Sequence, residues 1–234
     1  MDLLKGTKVT WLGHSTVLVS TPKGTNLLID PFIQHNPKFP KDFSLPESLP
    51  YILLTHGHGD HISDAVPVAQ KHDSSVLAIY ELADYIGRRG VTKTIGCNIG
   101  GTVQLDDVAV TMVEAKHSAG AIDDDGTHYV GVAAGLVLTI ANGPVLYHAG
   151  DTTVFSDMKL IAELYHPEVA MLPIGGHFTM GPYEAALAAK FLAPQLILPL
   201  HFGTFPPLTG TPEQLAARIE PEIKVVRISP GQSI

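Results

Sequence analysis

Between Leu54 and Ile62 the chain reads Thr55-His56-Gly57-His58-Gly59-Asp60-His61, which places three imidazoles and a carboxylate within six residues. Neutral imidazole nitrogens and carboxylate oxygens suit zinc and equally admit manganese, iron or nickel, because no thiolate narrows the choice. A polar turn shaped by glycines would account for a lone His-x-His. It does not account for three histidines and an aspartate directly after the apolar Tyr51-Ile52-Leu53-Leu54, because burying such groups is costly unless something coordinates them. Metal-ion chemistry is the reading that this segment supports.

Three isolated residues have local contexts that fit the same pocket. His117 follows the apolar Val108–Val113 stretch, Asp151 follows Tyr147-His148-Ala149-Gly150, and His201 follows Leu196-Ile197-Leu198-Pro199-Leu200. Each stands just past the carboxyl end of an expected strand, where side chains from several strands can converge. His14, in Trp11-Leu12-Gly13-His14-Ser15-Thr16, and His177, in Gly175-Gly176-His177-Phe178, are further candidates to bind a substrate oxygen or protonate a leaving group. His148 adjoins the Asp151 turn, and strand alternation assigns it to support or packing. His35, His72, His128 and His166 fall in loops or on helix faces and read as surface residues.

The elements that must position these groups follow from hydrophobic periodicity. Strands are expected at residues 8–12, 16–20 and 26–30, with Pro22-Lys23-Gly24 turning between the last two, and at 51–54 and 76–79. A helix is expected over 62–71 with Asp60 as its N-cap, although Pro67 weakens it. Later come strands near 108–113, 130–140, 145–147, 168–172, 196–200 and 223–226, and helices near 157–165, 183–192 and 212–219. Strands open each half and helices close it. Two halves, residues 1–114 and 115–234, could pack sheet against sheet with helices outside, giving an α/β fold of four αββα layers within one unit spanning 1–234. The segment from Pro31 to Pro50, with Phe32, Phe39 and Phe43, could be a wall or lid, core, or a contact in a homo-oligomer.

Composition bounds the function classes. A chain of 234 residues with 45% hydrophobic and 16% charged content buries a substantial core. A formal net charge of −8 argues against an extended nucleic-acid surface or an anionic-membrane surface. It leaves room for a small-molecule substrate, phosphorylated or not, because bound cations reverse the local sign of charge. Cys97 is the single cysteine, so neither an internal disulfide nor a thiolate metal site is available. Met1–Gly6 lacks the marks of a signal peptide and no window approaches the roughly 18–20 apolar residues of a bilayer span, so the expected location is cytoplasmic.

The order of these residues resembles the metallo-β-lactamase superfamily, whose motifs run from an early Asp through His-x-His-x-Asp-His to a single His, a single Asp and a last His. Asp30, His56 to His61, His117, Asp151 and His201 match in that order across nearly the whole chain. The resemblance implies that His56, His58 and His117 take one metal, that Asp60, His61 and His201 take another, and that Asp151 bridges them. It implies for Asp30 a role behind the ligands, orienting the histidine loop. Trp11–Thr16, Gly150-Asp151-Thr152 and Pro173–Pro182 look like the compact branch of metal-dependent hydrolases akin to ascorbate-6-phosphate lactonase and, more distantly, to the phospholipase D acting on N-acyl phosphatidylethanolamines.

Such a site would use two divalent ions, zinc first and manganese, nickel or iron as alternatives, to activate a bridging hydroxide and cleave a phosphodiester, lactone or related ester. Asp60 would orient the hydroxide or accept its proton. Di-iron oxidoreductases on the same fold are the rival enzyme class, but they place a Glu where this chain has His58 and usually carry an extra flavin domain that 234 residues cannot hold. Penicillin-type substrates lack a Cys or Lys beside His201 to grip a carboxylate. A non-catalytic metal or nucleotide sensor is the alternative from outside enzymology.

Overall fold

The computed structural model describes residues 3–234; Met1 and Asp2, the start of the segment expected to carry no signal peptide, lie outside the described residues. The first sheet is built in chain order from β1 (Lys8–Trp11), β2 (Val17–Ser20), β3 (Asn26–Ile29), β4 (Tyr51–Leu53), β5 (Ser75–Ile79) and β6 (Thr94–Cys97). β1, β2 and β3 form an antiparallel meander, and β3 to β6 run parallel. The parallel crossovers carry α1 (Gly59–Ile62), α2 (Ala65–His72) and α3 (Tyr80–Arg88).

The second sheet repeats this plan. β7 (Thr102–Leu105) and β8 (Val108–Glu114) are followed by a separate hairpin of β9 (Ala121–Asp123) and β10 (Gly126–His128). The sheet resumes with β11 (Ala134–Ile140), β12 (Val145–His148), β13 (Val169–Pro173), β14 (Leu196–Leu200) and β15 (Lys224–Val225), in the order β15-β14-β13-β12-β11-β8-β7. β7, β8, β11 and β12 pair antiparallel, and β12 to β15 run parallel, with α4 (Met158–Tyr165), α5 (Pro182–Leu192) and α6 (Pro212–Ala216) in the crossovers.

Both faces of each sheet are covered, because the inner strands are apolar on both sides of the pleat. Leu27, Ile29, Leu53 and Leu77 of the first sheet meet Val110, Met112, Leu136, Leu138, Met171 and Leu198 of the second in the central core. Leu28, Ile52, Val76 and Ala78 point the other way, onto Ala65, Ala69, Leu82 and Ile86 of α2 and α3. Val137, Tyr147, Ala170, Leu172 and Ile197 likewise pack on Met158, Ile161, Ala185 and Ala189 of α4 and α5. Each fully buried Leu or Ile contributes roughly 1.5–3 kcal/mol of transfer free energy, so the alternation fixes register as well as stability. The layers are αββα, as expected.

The structure departs from the expected elements in places that bear on the site. The helix expected over 62–71 is split: α1 is a single turn with His58 in the N-cap position and Asp60 inside its first turn, and α2 begins at Ala65. The break falls where the Asp64 carboxylate accepts the amides of Ile33 and Gln34 at 2.7 and 3.2 Å, tying the Pro31–Pro50 loop to the histidine segment. Pro67 lies in the first turn of α2, where a missing N–H costs no helical bond. α3, β6, β7, β9 and β10 are not among the expected elements. The chain passes between sheets at Cys97–Thr102, so β7 and β8 lie in the second sheet although they precede the expected boundary at Glu114.

Candidate metal centre

The carboxyl ends of β3, β4, β8, β12 and β14 open onto one edge of the sandwich, where parallel-sheet folds gather their ligands. Asp30 follows β3, Thr55 to His58 follow β4, His117 follows β8, Asp151 follows β12 and His201 follows β14. Four of the candidates hold left-handed backbone conformations: His14 at φ 56°, Asp30 at 47°, His177 at 59° and His201 at 53°. Such strain in non-glycine residues persists where surrounding contacts over-determine it. Two glycines allow the loops to close on one another. A Cβ at Gly57 would sit 2.5 Å from both the Ala119 carbonyl oxygen and Val130, and one at Gly150 would sit 2.7 Å from the Ala134 carbonyl oxygen.

The candidate donor atoms fall into overlapping clusters, with Asp30 joining His56 and His61 in one of them, and two of the clusters flank the Asp151 carboxylate. His56, His58 and His117 bring one nitrogen each within 4.8 Å of one another, and His14, His61 and His201 bring one nitrogen each together with a carboxylate oxygen of Asp60 within the same span. In the first group His56 Nε2 lies 2.9 Å from His58 Nδ1. Asp151 Oδ2 is 3.7 Å from His117 Nε2, 3.3 Å from His61 Nε2 and 3.0 Å from His201 Nε2. His61 Nε2, His201 Nε2 and Asp151 Oδ1 are buried without a hydrogen-bond partner. Buried polar atoms are rarely left so, and a cation among them would satisfy all three at once. The residues therefore fit a metal of the N/O-binding kind. His56, His61, Asp151 and His201 are buried, whereas His58, Asp60 and His117 are half-buried and open the site on one side.

A further layer of side chains holds the ligands. Asp30 accepts the Thr55 amide on Oδ1 at 2.8 Å, and on Oδ2 it accepts the Thr55 hydroxyl at 2.6 Å and His61 Nδ1–H at 2.8 Å. The Thr55 hydroxyl has given its hydrogen to Asp30, so it accepts His56 Nδ1–H at 3.0 Å. Nε2 of both rings is then turned toward the centre, the usual consequence of a partner on the far nitrogen. Ser118 Oγ lies 3.2 Å from His58 Nε2. Thr152 accepts the Lys116 amide at 3.0 Å and so joins the Asp151 turn to the His117 segment. His148 is fully buried, donates Nε2–H to the Ser15 carbonyl and accepts the Gly150 amide on Nδ1, each at 3.1 Å; it shapes the turn that presents Asp151.

Charge is distributed unevenly. Burial, reinforced by neighbouring imidazoles, holds His56, His58 and His117 below the ordinary histidine value, so their lone pairs are free near neutral pH. Burial also opposes charge on His61, but the carboxylates of Asp151 and Asp30 outweigh it and raise its pKa well above the ordinary value. Burial alone would raise the Asp151 pKa; His61 and His201 reverse that and hold it well below the usual carboxylate range. For Asp60 burial is again opposed and outweighed, by the His14 hydrogen bond and by His61.

The remaining expected residues are placed as follows. His14 is fully buried with both ring nitrogens engaged, Nε2 3.0 Å from Asp60 Oδ2 and Nδ1 3.0 Å from Thr204 Oγ1. His177 is exposed in the loop after β13, between the loops of Asp151 and His201, with its ring edge-on to Phe178 at 4.4 Å. Among the described residues no hydrogen bond or ion pair joins its side chain to the ligand cluster. Phe32 is buried against the His14 ring at 5.7 Å, while Phe39 and Phe43 are half-buried against the outer core, so these rings serve as wall and core. Thr55, Ser118, Thr152 and Thr204 are functional neighbours that the sequence reading does not single out. The available signal is proximity, for each lies one to three positions from a candidate ligand.

The fold and the donor set define a class. The description of the beta-lactamase superfamily domain matches residues 25–202, and the chain belongs to that superfamily, with the metallo-β-lactamase fold. More particularly, it is 49% identical over 233 residues to a UPF0173 metal-dependent hydrolase of Koribacter versatilis (strain Ellin345), covering 100% of this chain and 99% of that protein. It superposes on Igni18, a metallo hydrolase of the archaeon Ignicoccus hospitalis KIN4/I, with a TM-score of 0.86 and 34% identity over 97% of each chain. CmlA, a diiron beta-hydroxylase from Streptomyces venezuelae, gives a TM-score of 0.77 at 15% identity over 98% of this chain and 54% of that one, a likeness of fold alone. The protein is a metal-dependent hydrolase. No described helix is long and apolar enough to cross a membrane.

Proposed function

We propose that this hydrolase works with two divalent ions, zinc first among them, and cleaves a phosphodiester, lactone or related ester of a small-molecule substrate. In this reading His56, His58 and His117 hold one ion, Asp60, His61 and His201 hold the other, and Asp151 is shared. The observation that carries it is the position of Asp151 Oδ2, within 3.0 to 3.7 Å of imidazoles from both groups. When bound, the ions would supply Lewis acidity and a water acidic enough to react near neutral pH.

The chain's own groups do the rest. Asp60, anionic and half-exposed at the open side, orients the attacking water or accepts its proton; a carboxyl held below the usual range suits the orienting role. His177, displayed at the edge between the Asp151 and His201 loops, contacts a substrate oxygen or the leaving group. Phe32 and Phe205 pack against His14 at 5.7 and 5.5 Å and keep water from that wall. His58 argues for hydrolysis over di-iron redox chemistry, since an imidazole stands where the redox enzymes carry Glu.

The test is metal content with turnover of bis-p-nitrophenyl phosphate against a lactone panel. The expectation is two ions per chain, loss of activity on chelation and recovery with zinc or manganese. Full activity in His58→Ala or Asp151→Ala would overturn the reading, and retained ligand binding with inertness to the whole panel would favour the sensor.

A further inference from the structure

We propose that His14, clamped by Thr204, is a positioning residue that aims the Asp60 carboxylate and thereby sets loading of the Asp60–His61–His201 site; this rests on the two-metal reading.

Asp60 sits on α1, a helix of one turn, and its side chain is 31% exposed. A one-turn helix fixes little of its direction, so its hydrogen-bond partner matters to where the carboxylate points. Among the described residues its side chain has one hydrogen bond, to His14 Nε2 at 3.0 Å. His14 is held far more firmly. Its carbonyl accepts Trp11 Nε1–H at 2.9 Å and the His201 amide at 3.0 Å, so one residue ties the end of β1 to the ligand loop after β14. Its ring lies 3.9 Å from the His201 ring, between the edges of Phe32 and Phe205.

The tautomer follows from the partners. An ionised Asp60 can only accept, so His14 Nε2 carries the hydrogen and Nδ1 accepts from the Thr204 hydroxyl at 3.0 Å. Every hydrogen-bonding position on the ring is used. The direct proton donation expected of His14 from sequence gives way to the task of holding a ligand, as an imidazole or carboxylate behind a first ligand does in other metal sites.

The experiment titrates zinc into metal-stripped wild type, His14→Ala, His14→Gln and Thr204→Val, reading stoichiometry and stepwise affinity by calorimetry and elemental analysis. Gln and Ala share the strain of the left-handed backbone, and only Gln restores a donor for Asp60. The expected result is that His14→Ala weakens the second equivalent at least about tenfold and leaves the first within about twofold. Gln should recover most of that loss, and Thr204→Val should show a smaller one. Wild-type loading in His14→Ala, equal loss of both equivalents, or failure of Gln to restore loading, as a direct ligand role for His14 would give, would each overturn the inference. If His14→Ala does not fold, unchanged loading in Thr204→Val does so. Wild-type stoichiometry reports separately on the two-metal reading, which a single equivalent would overturn.

Discussion

In the first group His56 and His58 are braced by hydroxyl groups and the half-buried His58 and His117 open toward solvent, whereas His61 and His201 are buried and their group is braced by a carboxylate and a histidine drawn from distant strands. The first group is nearly complete within one loop, since His56 and His58 lie two residues apart and need only His117 from β8. The second requires the ends of β1, β3, β4 and β14 to be in place together. One group thus depends on local conformation and the other on tertiary assembly. The charge pattern follows: the hydroxyl-braced imidazoles are neutral, and the carboxylate-braced His61 is pulled toward the protonated state.

Asp151→Ala should erase the distinction, because the shared carboxylate serves both groups. Hydrolytic activity should fall by at least about 10³-fold, about 4 kcal/mol in barrier, and both metal affinities should drop; loss confined to one equivalent would break the bridging assignment. His61→Ala and His58→Ala should separate the groups in the metal-free protein. The former leaves Asp30 buried without its imidazole and should cost about 3–5 kcal/mol of unfolding free energy. The latter removes a half-buried ring and should cost about 1 kcal/mol. Denaturant unfolding measures both, and equal losses would contradict the contrast.

Ser118→Ala should have a small effect, about twofold to fivefold on affinity for the first ion, because the hydroxyl is exposed and water replaces it. Proton release provides the finest discrimination. His56, His58 and His117 lie below 6.5 and bind metal at pH 7 without releasing a proton, whereas His61 lies above 6.5 and must lose one. Calorimetry in buffers of different ionisation enthalpy should find about no proton released for the first equivalent and about one for the second. In the metal-free fold the raised His61 stabilises below pH 6.5, and this contribution is lost as pH rises through its folded value. The depressed His56 acts oppositely, destabilising as pH falls below 6.5.

Much of this was legible in the residues, and unevenly so. Strands near 26–30 and 196–200 followed from apolar runs bounded by turn residues, and the four layers followed from strands and helices that alternate in two sets. The split at Asp64 was not legible, because it depends on the amides of Ile33 and Gln34 arriving from another loop. Nor was the engagement of both His14 nitrogens, one by Asp60 and one by Thr204, residues 46 and 190 positions away. His177 shows the converse: its glycine-rich context marked it for the site edge, and only coordinates reveal a ring turned to solvent.

By itself, the order of residues determined which side chains could bind metal, because ligand type is a property of the side chain and His-x-His-x-Asp-His is a local pattern. It also determined that the carrying scaffold would be strands covered on both faces, because burial periodicity is local too. Tertiary structure alone decided that Asp151 lies between two groups, that Asp30 and His14 stand behind one of them, and that hydroxyls stand behind the other. Those facts are distances of a few ångströms between segments far apart in the chain, set by the packing of two sheets face to face.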